Sequence, residues 1–240
     1  IINTVFVNTL RRISLDLIPY IAFNKDDIEI MKNTSIYNND IVRLRLSTFP
    51  LIELTNSIEL VDHINEFEQK KHIEDSFEKL SLFFSKNNDT TEIINVTTDD
   101  CQFYLGDKKI DSIYKSPLLL TKLKQGEEIR GSCKSSIGIG LHNGIYCAVQ
   151  TCCYEEISDN EFIFKIESRG QISEIDILKR VCMIIKTKLE LIKSKFTDKV
   201  INGTEIELTL QNEDHTFGNL ITNYLQNNNN VSYAGYKIDH

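Results

Sequence analysis

The sequence contains no tryptophan, only three prolines and no long apolar run. A membrane-spanning helix needs about 18 or more consecutive apolar residues, whereas the longest runs here, such as residues 18–23, extend over only a few positions. We therefore expect no membrane partner. Apolar residues make up 41% and charged residues 26% of the 240 positions. These values are near the globular average and exclude a wholly disordered chain.

Basic clusters are also missing. The formal net charge is −8, and no run of lysine or arginine is longer than two residues. A protein that holds duplex DNA through its own phosphate contacts usually carries a basic face. We therefore expect any relation to DNA to be indirect.

The six cysteines include no CxxC pair. Zinc and iron–sulfur sites need closely spaced thiolates, so the sequence predicts no metal and no cofactor. Reduced, buried thiols are the simpler interpretation. A thiol-dependent enzyme would use Cys133 or Cys147 as nucleophile with His142 as base. Nothing in the pattern places an acid or an oxyanion donor beside them, so this enzyme is an alternative and not the main hypothesis.

Helical periodicity marks four segments. Residues 3–17 form an amphipathic pattern that Pro19 ends, and a shorter pattern covers 38–46. Ser173 and Asp176 make a capping pattern before the clearest helix. Its apolar stripe is Ile177, Leu178, Val181, Ile184, Ile185, Leu189 and Ile192. Asp214 could cap a last helix that carries Phe217, Leu220, Ile221, Tyr224 and Leu225.

Alternation of apolar and polar residues, and short apolar runs, predict strands elsewhere. The strand predictions are 20–31, 57–62, 91–98, 161–167, 205–211 and 231–238. Short apolar bursts between 99 and 157 indicate a small β-rich unit. The fold class is therefore α+β. Gly138-Ile139-Gly140 is a tight backbone feature, but a lone GxG is weak evidence for phosphate binding.

Several segments carry a resemblance to a known family. Asn8-Thr9-Leu10-Arg11-Arg12-Ile13, followed by Ile18-Pro19, is similar to the "NALRR…IP" signature of the α-type RNA polymerase subunits. That family includes bacterial α, archaeal D and the third-largest subunit of eukaryotic RNA polymerase II. The segment 213–220, together with 233–240, resembles the small partner subunit, archaeal L or the eleventh subunit of RNA polymerase II. The chain resembles a D-type and an L-type subunit fused in tandem.

The resemblance implies an RNA polymerase α-like dimerisation fold with two pseudo-symmetric halves in one chain. Residues 1–47 plus 160–200 would be the first, D-like half, and 48–159 an inserted β-rich domain. Residues 201–240 would be the second, L-like half, incomplete at its C-terminus. The abrupt ends lead us to expect further residues on both sides.

The resemblance also implies residue roles. The expected dimerisation core is Phe6, Leu10, Ile13, Leu178, Val181, Ile185, Phe217, Leu220, Ile221 and Tyr224. The side chains expected to contact large polymerase subunits are Arg11, Arg12, Arg45 and His142. His215 is expected to make local hydrogen bonds and to have no catalytic role.

The implied function is a non-catalytic assembly platform of a multisubunit DNA-directed RNA polymerase. Its partners would be the largest and second-largest subunits and small polymerase subunits. The sequence contains 34 isoleucines against three alanines, which together with the fusion suggests a large DNA virus. The location would be the virion and host cytoplasm if viral, and the nucleus if cellular. A second hypothesis is an α-like scaffold repurposed to bridge other proteins.

Overall fold

The computed structural model describes residues 2–51, 64–69, 78–197 and 205–238. The helices are α1 (Thr4–Asp16), α2 (Asn39–Ser47), α3 (Ile64–Glu68), α4 (Glu174–Thr197) and α5 (His215–Gln226). The strands are β1 (Tyr20–Asn33), β2 (Leu80–Asn87), β3 (Ile94–Thr97), β4 (Cys101–Leu105), β5 (Lys108–Ile110), β6 (Leu119–Leu123), β7 (Glu128–Gly138), β8 (Val149–Ser158) and β9 (Glu161–Ser168). The predicted α+β class is confirmed. No helix in these described ranges is long and apolar enough to cross a membrane.

The helices begin where local capping chemistry predicts. The side chains of Asn3, Asn38 and Asp214 each accept a hydrogen bond from a backbone N–H in the first turn. Ser173 Oγ likewise accepts from the Asp176 N–H at 3.2 Å. Such caps satisfy N–H groups that have no partner within the helix, and each is worth about 1 kcal/mol.

The strands form one five-stranded antiparallel sheet and two ribbons. The sheet order is β1-β7-β2-β4-β5, and the ribbons are β3–β6 and β8–β9. Strand β1 pairs with β7 along most of its length, from Tyr20 opposite Gly138 to Asn33 opposite Ile129. The sheet therefore combines β1, from the expected first half, with four strands from the expected insert. The division into halves and insert stays a prediction.

Two apolar clusters form the interior. The sheet core lies on the five-stranded sheet under α2 and contains Ile21, Phe23, Ile28, Val42, Leu46, Leu51, Leu80, Leu82, Phe84, Val96, Phe103, Leu120, Leu123, Ile129 and Cys133. The helix core gathers around α1, α4 and α5 and contains Ile13, Leu17, Ile18, Tyr20, Ala22, Ile64, Phe67, Ile139, Tyr146, Ala148, Val149, Ile172, Ile177, Val181, Ile184, Ile185, Phe217 and Leu220. Each large apolar side chain buried this way contributes roughly 1.5–3 kcal/mol before the entropy cost.

Two strand predictions are wrong. Residues 205–211 show only an isolated bridge at Glu205, and no strand forms over 231–238. A strand needs a neighbour that exchanges ladder hydrogen bonds with it, and neither segment has such a ladder among the described residues. The alternating pattern alone cannot supply that neighbour. The prediction at 91–98 corresponds to the shorter β3, and the one at 57–62 lies outside the described residues.

Candidate dimerisation interface

Helix α1 lies between the last two helices and contacts both α4 and α5. Near its start, Asn3 Nδ2 donates to Asn223 Oδ1 at 2.8 Å. Near its end, the Arg12 guanidinium donates to Asp214 Oδ2 at 2.6 Å. The start of α1 therefore contacts the end of α5, and the end of α1 contacts the start of α5, so the two helices run antiparallel. Polar contacts thus fix both ends of the α1–α5 pair.

Apolar side chains fill the space between these polar contacts. Phe217 and Leu220 of α5 are 1% and 4% exposed and join the same cluster as Ile13 of α1 and Val181 of α4. Of the expected core, the members buried in this cluster are Ile13, Val181, Ile185, Phe217 and Leu220, with Phe6 and Leu10 packed against it. Leu178 and Ile221 are partly buried, and Tyr224 is 43% exposed near the end of α5. Their role in dimerisation stays a prediction.

The stripe on α4 contains a residue that sequence analysis missed. Lys188 is 1% exposed, whereas Leu189, which the sequence assigned to the stripe, is 39% exposed. Steps of four residues run from Ile184 through Lys188 to Ile192, so Lys188 lies on the buried face. A lysine at this spacing within an apolar stripe was the available signal. A buried ammonium requires carboxylate partners.

Lys188 finds two such partners on separate segments. Its Nζ lies 2.8 Å from Glu68 Oε1 of α3 and 3.0 Å from both carboxylate oxygens of Glu213. The Glu68 and Glu213 side chains are themselves only 7% and 12% exposed. The same ammonium lies 4.8 Å from the centre of the Phe217 ring, within cation–π range. One side chain therefore joins α3, α4 and the entry to α5.

Burial shifts the pKa values of the carboxylates around this junction, with hydrogen bonds and nearby cations acting against it. Burial raises the pKa of Glu213, although the Lys188 ammonium opposes the shift. Burial also raises the pKa of Asp16, with Arg12 opposing. For Asp214 the burial effect is outweighed by hydrogen bonds from Thr216 and the charge of Arg12, so its pKa is lowered. These groups surround a small cavity of about 60 Å³.

The glycine motif belongs to this interface and does not form a phosphate cradle. A Cβ on Gly140 would overlap the carbonyl oxygen of Leu15 in α1, so only glycine allows this approach. The next residue, Leu141, donates its N–H to the Asp16 carbonyl at 2.8 Å. The His142 ring then contacts the Phe67 carbonyl of α3 at 2.9 Å. This loop fastens the end of α1 to α3.

The four expected partner-binding side chains do not form one cluster. Arg11 bonds Asn8 on its own helix, and Arg12 bonds the segment before α5. Arg45 lies on α2, above the sheet core, where it donates to the Leu119 carbonyl at 3.2 Å. His142 faces α3. Contact with large subunits through these residues stays a prediction. The ring of His215 bonds Tyr236 Oη at 3.1 Å, a partner 21 positions further along the chain and not a local one.

The thiols of Cys101, Cys133 and Cys147 are poorly suited to nucleophilic chemistry. All six cysteines are free. Burial raises the pKa of Cys101 to about 12 and that of Cys133 well above its usual range. Burial also raises the pKa of Cys147. A nucleophilic cysteine needs the opposite shift. Within the described ranges, no group of three or more His, Cys, Asp or Glu side chains could hold a metal ion.

Two family models match this chain, and both describe the same kind of domain. The RNA polymerase Rpb3/Rpb11 dimerisation domain matches residues 2–189 and, in a second model, residues 205–240. The chain is similar to R470 of Acanthamoeba polyphaga mimivirus, described as a DNA-directed RNA polymerase subunit, at 26% identity over 270 residues, covering 100% of this chain and 76% of that protein.

Two kinds of archaeal subunit are similar to different shares of the chain. The DNA-directed RNA polymerase subunit Rpo3 of Methanobrevibacter smithii is 25% identical over 157 residues, which cover 65% of this chain and 52% of that protein. The subunit Rpo11 of Thermococcus kodakarensis is 51% identical over 35 residues, 15% of this chain and 37% of that protein.

Proposed function

Because this chain belongs to the RNA polymerase Rpb3/Rpb11 dimerisation-domain family, we propose that it is a non-catalytic assembly subunit of a multisubunit DNA-directed RNA polymerase. The two family matches succeed one another in the chain. This order supports a tandem fusion of an Rpo3-like part and an Rpo11-like part.

The packing of α5 against α1 and α4 is the observation that carries this proposal. Phe217 and Leu220 complete an apolar cluster begun by the first match, and Arg12 with Asn3 fixes the helix at both ends. Fusion keeps the second part at an effective concentration on the order of mM, so its docking needs little further affinity. The paired helices would then present one preformed surface to the large subunits.

The partners we propose are the largest and second-largest polymerase subunits, with small subunits in addition. Arg11 and Arg45 are the first candidates for these contacts, because desolvated arginines are frequent interface anchors. Arg12 is already bonded to Asp214 and His142 to α3, so their contribution would be to hold the platform in shape. The viral relative supports a viral source. With such a source, the location we propose is the virion and host cytoplasm.

Affinity purification of the tagged full-length chain from its source, followed by mass spectrometry, tests the proposal. We expect two large polymerase subunits in amounts equal to the chain. Arg11→Glu and Arg45→Glu should lower their recovery, whereas Lys109→Glu, a matched charge reversal on the exposed strand β5, should not. Recovery of the chain with unrelated proteins would favour the repurposed scaffold. Recovery of neither large subunit would overturn the polymerase role.

A further inference from the structure

We propose that Glu68 and Glu213 compete for Lys188, so that the position of α3 in the insert controls how tightly α5 is held. The inference concerns the internal assembly of the chain. It does not depend on which partners the platform binds.

The geometry supplies one cation for two carboxylates. Lys188 Nζ is within 3.0 Å of Glu68 and of Glu213, and all three side chains are at most 12% exposed. Two carboxylates beside one ammonium leave an excess negative charge in a region where water screens little. Each carboxylate therefore weakens the hold of the ammonium on the other, and such coupling is reciprocal.

Among the residues that the structure describes, the surrounding charges do not relieve this competition. Arg12 and Asp16 of α1 face the same cavity, as does Asp214 before α5. The Arg12 guanidinium is bonded to Asp214 at 2.6 Å and also attracts Asp16. Lys188 is therefore the cation that bonds Glu213 within the described part of the chain. The raised pKa of Glu213, to which Glu68 contributes, agrees with this arrangement.

Apart from Lys188, α3 and α5 share the helix core, in which Ile64 and Phe67 are buried with Phe217 and Leu220, but their other polar contacts differ. Helix α3 is tied to the loop after β7 through the His142 ring and the Phe67 carbonyl. Helix α5 is held by α1 through Asn3 and Arg12. A partner that draws the Glu68 carboxylate away from Lys188, while Ile64 and Phe67 stay in the helix core, would free Lys188 for Glu213 and tighten α5. A partner bound near α3 would thus change how tightly α5 is held against α1 and α4.

The test uses the full-length chain labelled with ¹³C at glutamate carboxyls, with amide hydrogen exchange of residues 216–226 measured on the same samples. In Glu68→Gln we expect the pKa of Glu213 to fall by about one unit and exchange in α5 to slow several-fold. In Lys188→Met we expect the pKa of Glu213 to rise and α5 exchange to accelerate about tenfold or more. Glu190→Gln is the matched control, because Glu190 pairs with Lys186 on the exposed face of α4.

Each outcome decides the matter. An unchanged pKa of Glu213 and unchanged α5 exchange in Glu68→Gln would overturn the proposal. Faster α5 exchange in that variant would also overturn it, since Glu68 would then support Glu213 and not compete with it. A similar response in Glu190→Gln would also overturn it, since loss of any negative charge would then have the same effect. If Lys188→Met does not fold, the conservative Glu68→Gln comparison still gives the answer.

Discussion

The sheet core and the helix core are stabilised in different ways. The sheet core combines ladder hydrogen bonds with fully apolar packing, and Phe23, Leu82 and Phe84 are each at most 1% exposed. The charged side chains that are fully buried among the described residues, Arg180 and Lys188, both lie on α4. A buried ion pair adds little net stability compared with apolar residues but penalises wrong partners. Apolar burial stabilises both cores, and we expect the buried ion pairs of Lys188 to add selectivity in docking α5.

A matched pair of truncations should separate the two cores most strongly. Phe84→Ala in β2 and Phe217→Ala in α5 remove the same ring from equally buried sites. Each should cost about 3–5 kcal/mol locally. We expect Phe84→Ala to lower the free energy of global unfolding by this amount in urea, because the ring packs over Gly131 in the neighbouring strand.

Phe217→Ala should instead release α5 while the sheet stays folded. Hydrogen exchange should accelerate in residues 216–226 and stay slow in β2 and β7. Equal loss of protection in both regions would show that the two cores unfold as one unit. That result would remove the distinction between them.

The next largest effect should come from the loop that joins the helix core to the insert. In Gly140→Ala the new Cβ meets the Leu15 carbonyl, a backbone atom that cannot move aside, so we expect a loss of about 1–3 kcal/mol. Gly144→Ala is the control, because a Cβ there meets no atom within 4 Å. Urea unfolding of both variants measures the difference. Equal stability of the two would contradict the close approach.

Local signals predicted the helices well and the interface only in part. The caps at Asn3, Asn38, Ser173 and Asp214 depend on neighbours within three residues, so the sequence contains all the information. The strands predicted at 205–211 and 231–238 do not form, because a strand depends on distant partners, which alternation cannot identify.

The candidate site shows the same division between local and distant information. The buried phenylalanine and leucine of α5 follow from periodicity. The apolar stripe predicted from the sequence continues through Leu189 and therefore does not include Lys188. Its partners lie at 68 and 213, separated from it by 120 and 25 positions, and no local pattern joins them. A lysine in phase with an apolar stripe is the signal that would have located the junction.

A smaller effect should distinguish the two asparagine caps. Asn3 caps α1 and also bonds Asn223 of α5, whereas Asn38 caps α2 with no bond to a distant element. Asn38→Ala should cost about 1 kcal/mol, the value of a cap. Asn3→Ala should cost about 1 kcal/mol more, because the amide of Asn223 also loses its partner.

Urea unfolding of the two asparagine variants measures the loss of unfolding free energy. Amide hydrogen exchange in α5 shows whether that loss weakens the docking of this helix. Only Asn3→Ala should accelerate exchange at residues 216–226. Equal costs, with no change in α5, would mean that the Asn3–Asn223 bond contributes nothing to docking.

The smallest expected effect is on the pH dependence of stability. The pKa of Glu213 is raised above its ordinary value of 4.5, so the folded chain holds this proton more tightly than the unfolded chain does. Its contribution to stability should therefore grow as the pH falls from neutrality towards about 4.5. The pKa of Asp214 lies below its ordinary value of 3.8, so its contribution should be lost as the pH falls below that value.

Urea midpoints measured between pH 7 and pH 3.5 for the wild type, Glu213→Gln and Asp100→Asn test this sign. Asp100 is the comparison in the sheet region, where burial is outweighed by its bond to Lys86 and the pKa is lowered. Glu213→Gln should remove the gain on mild acidification, and Asp100→Asn should leave that gain unchanged. If Glu213→Gln keeps the wild-type profile above pH 4.5, the buried carboxylate does not distinguish the helix core from the sheet core.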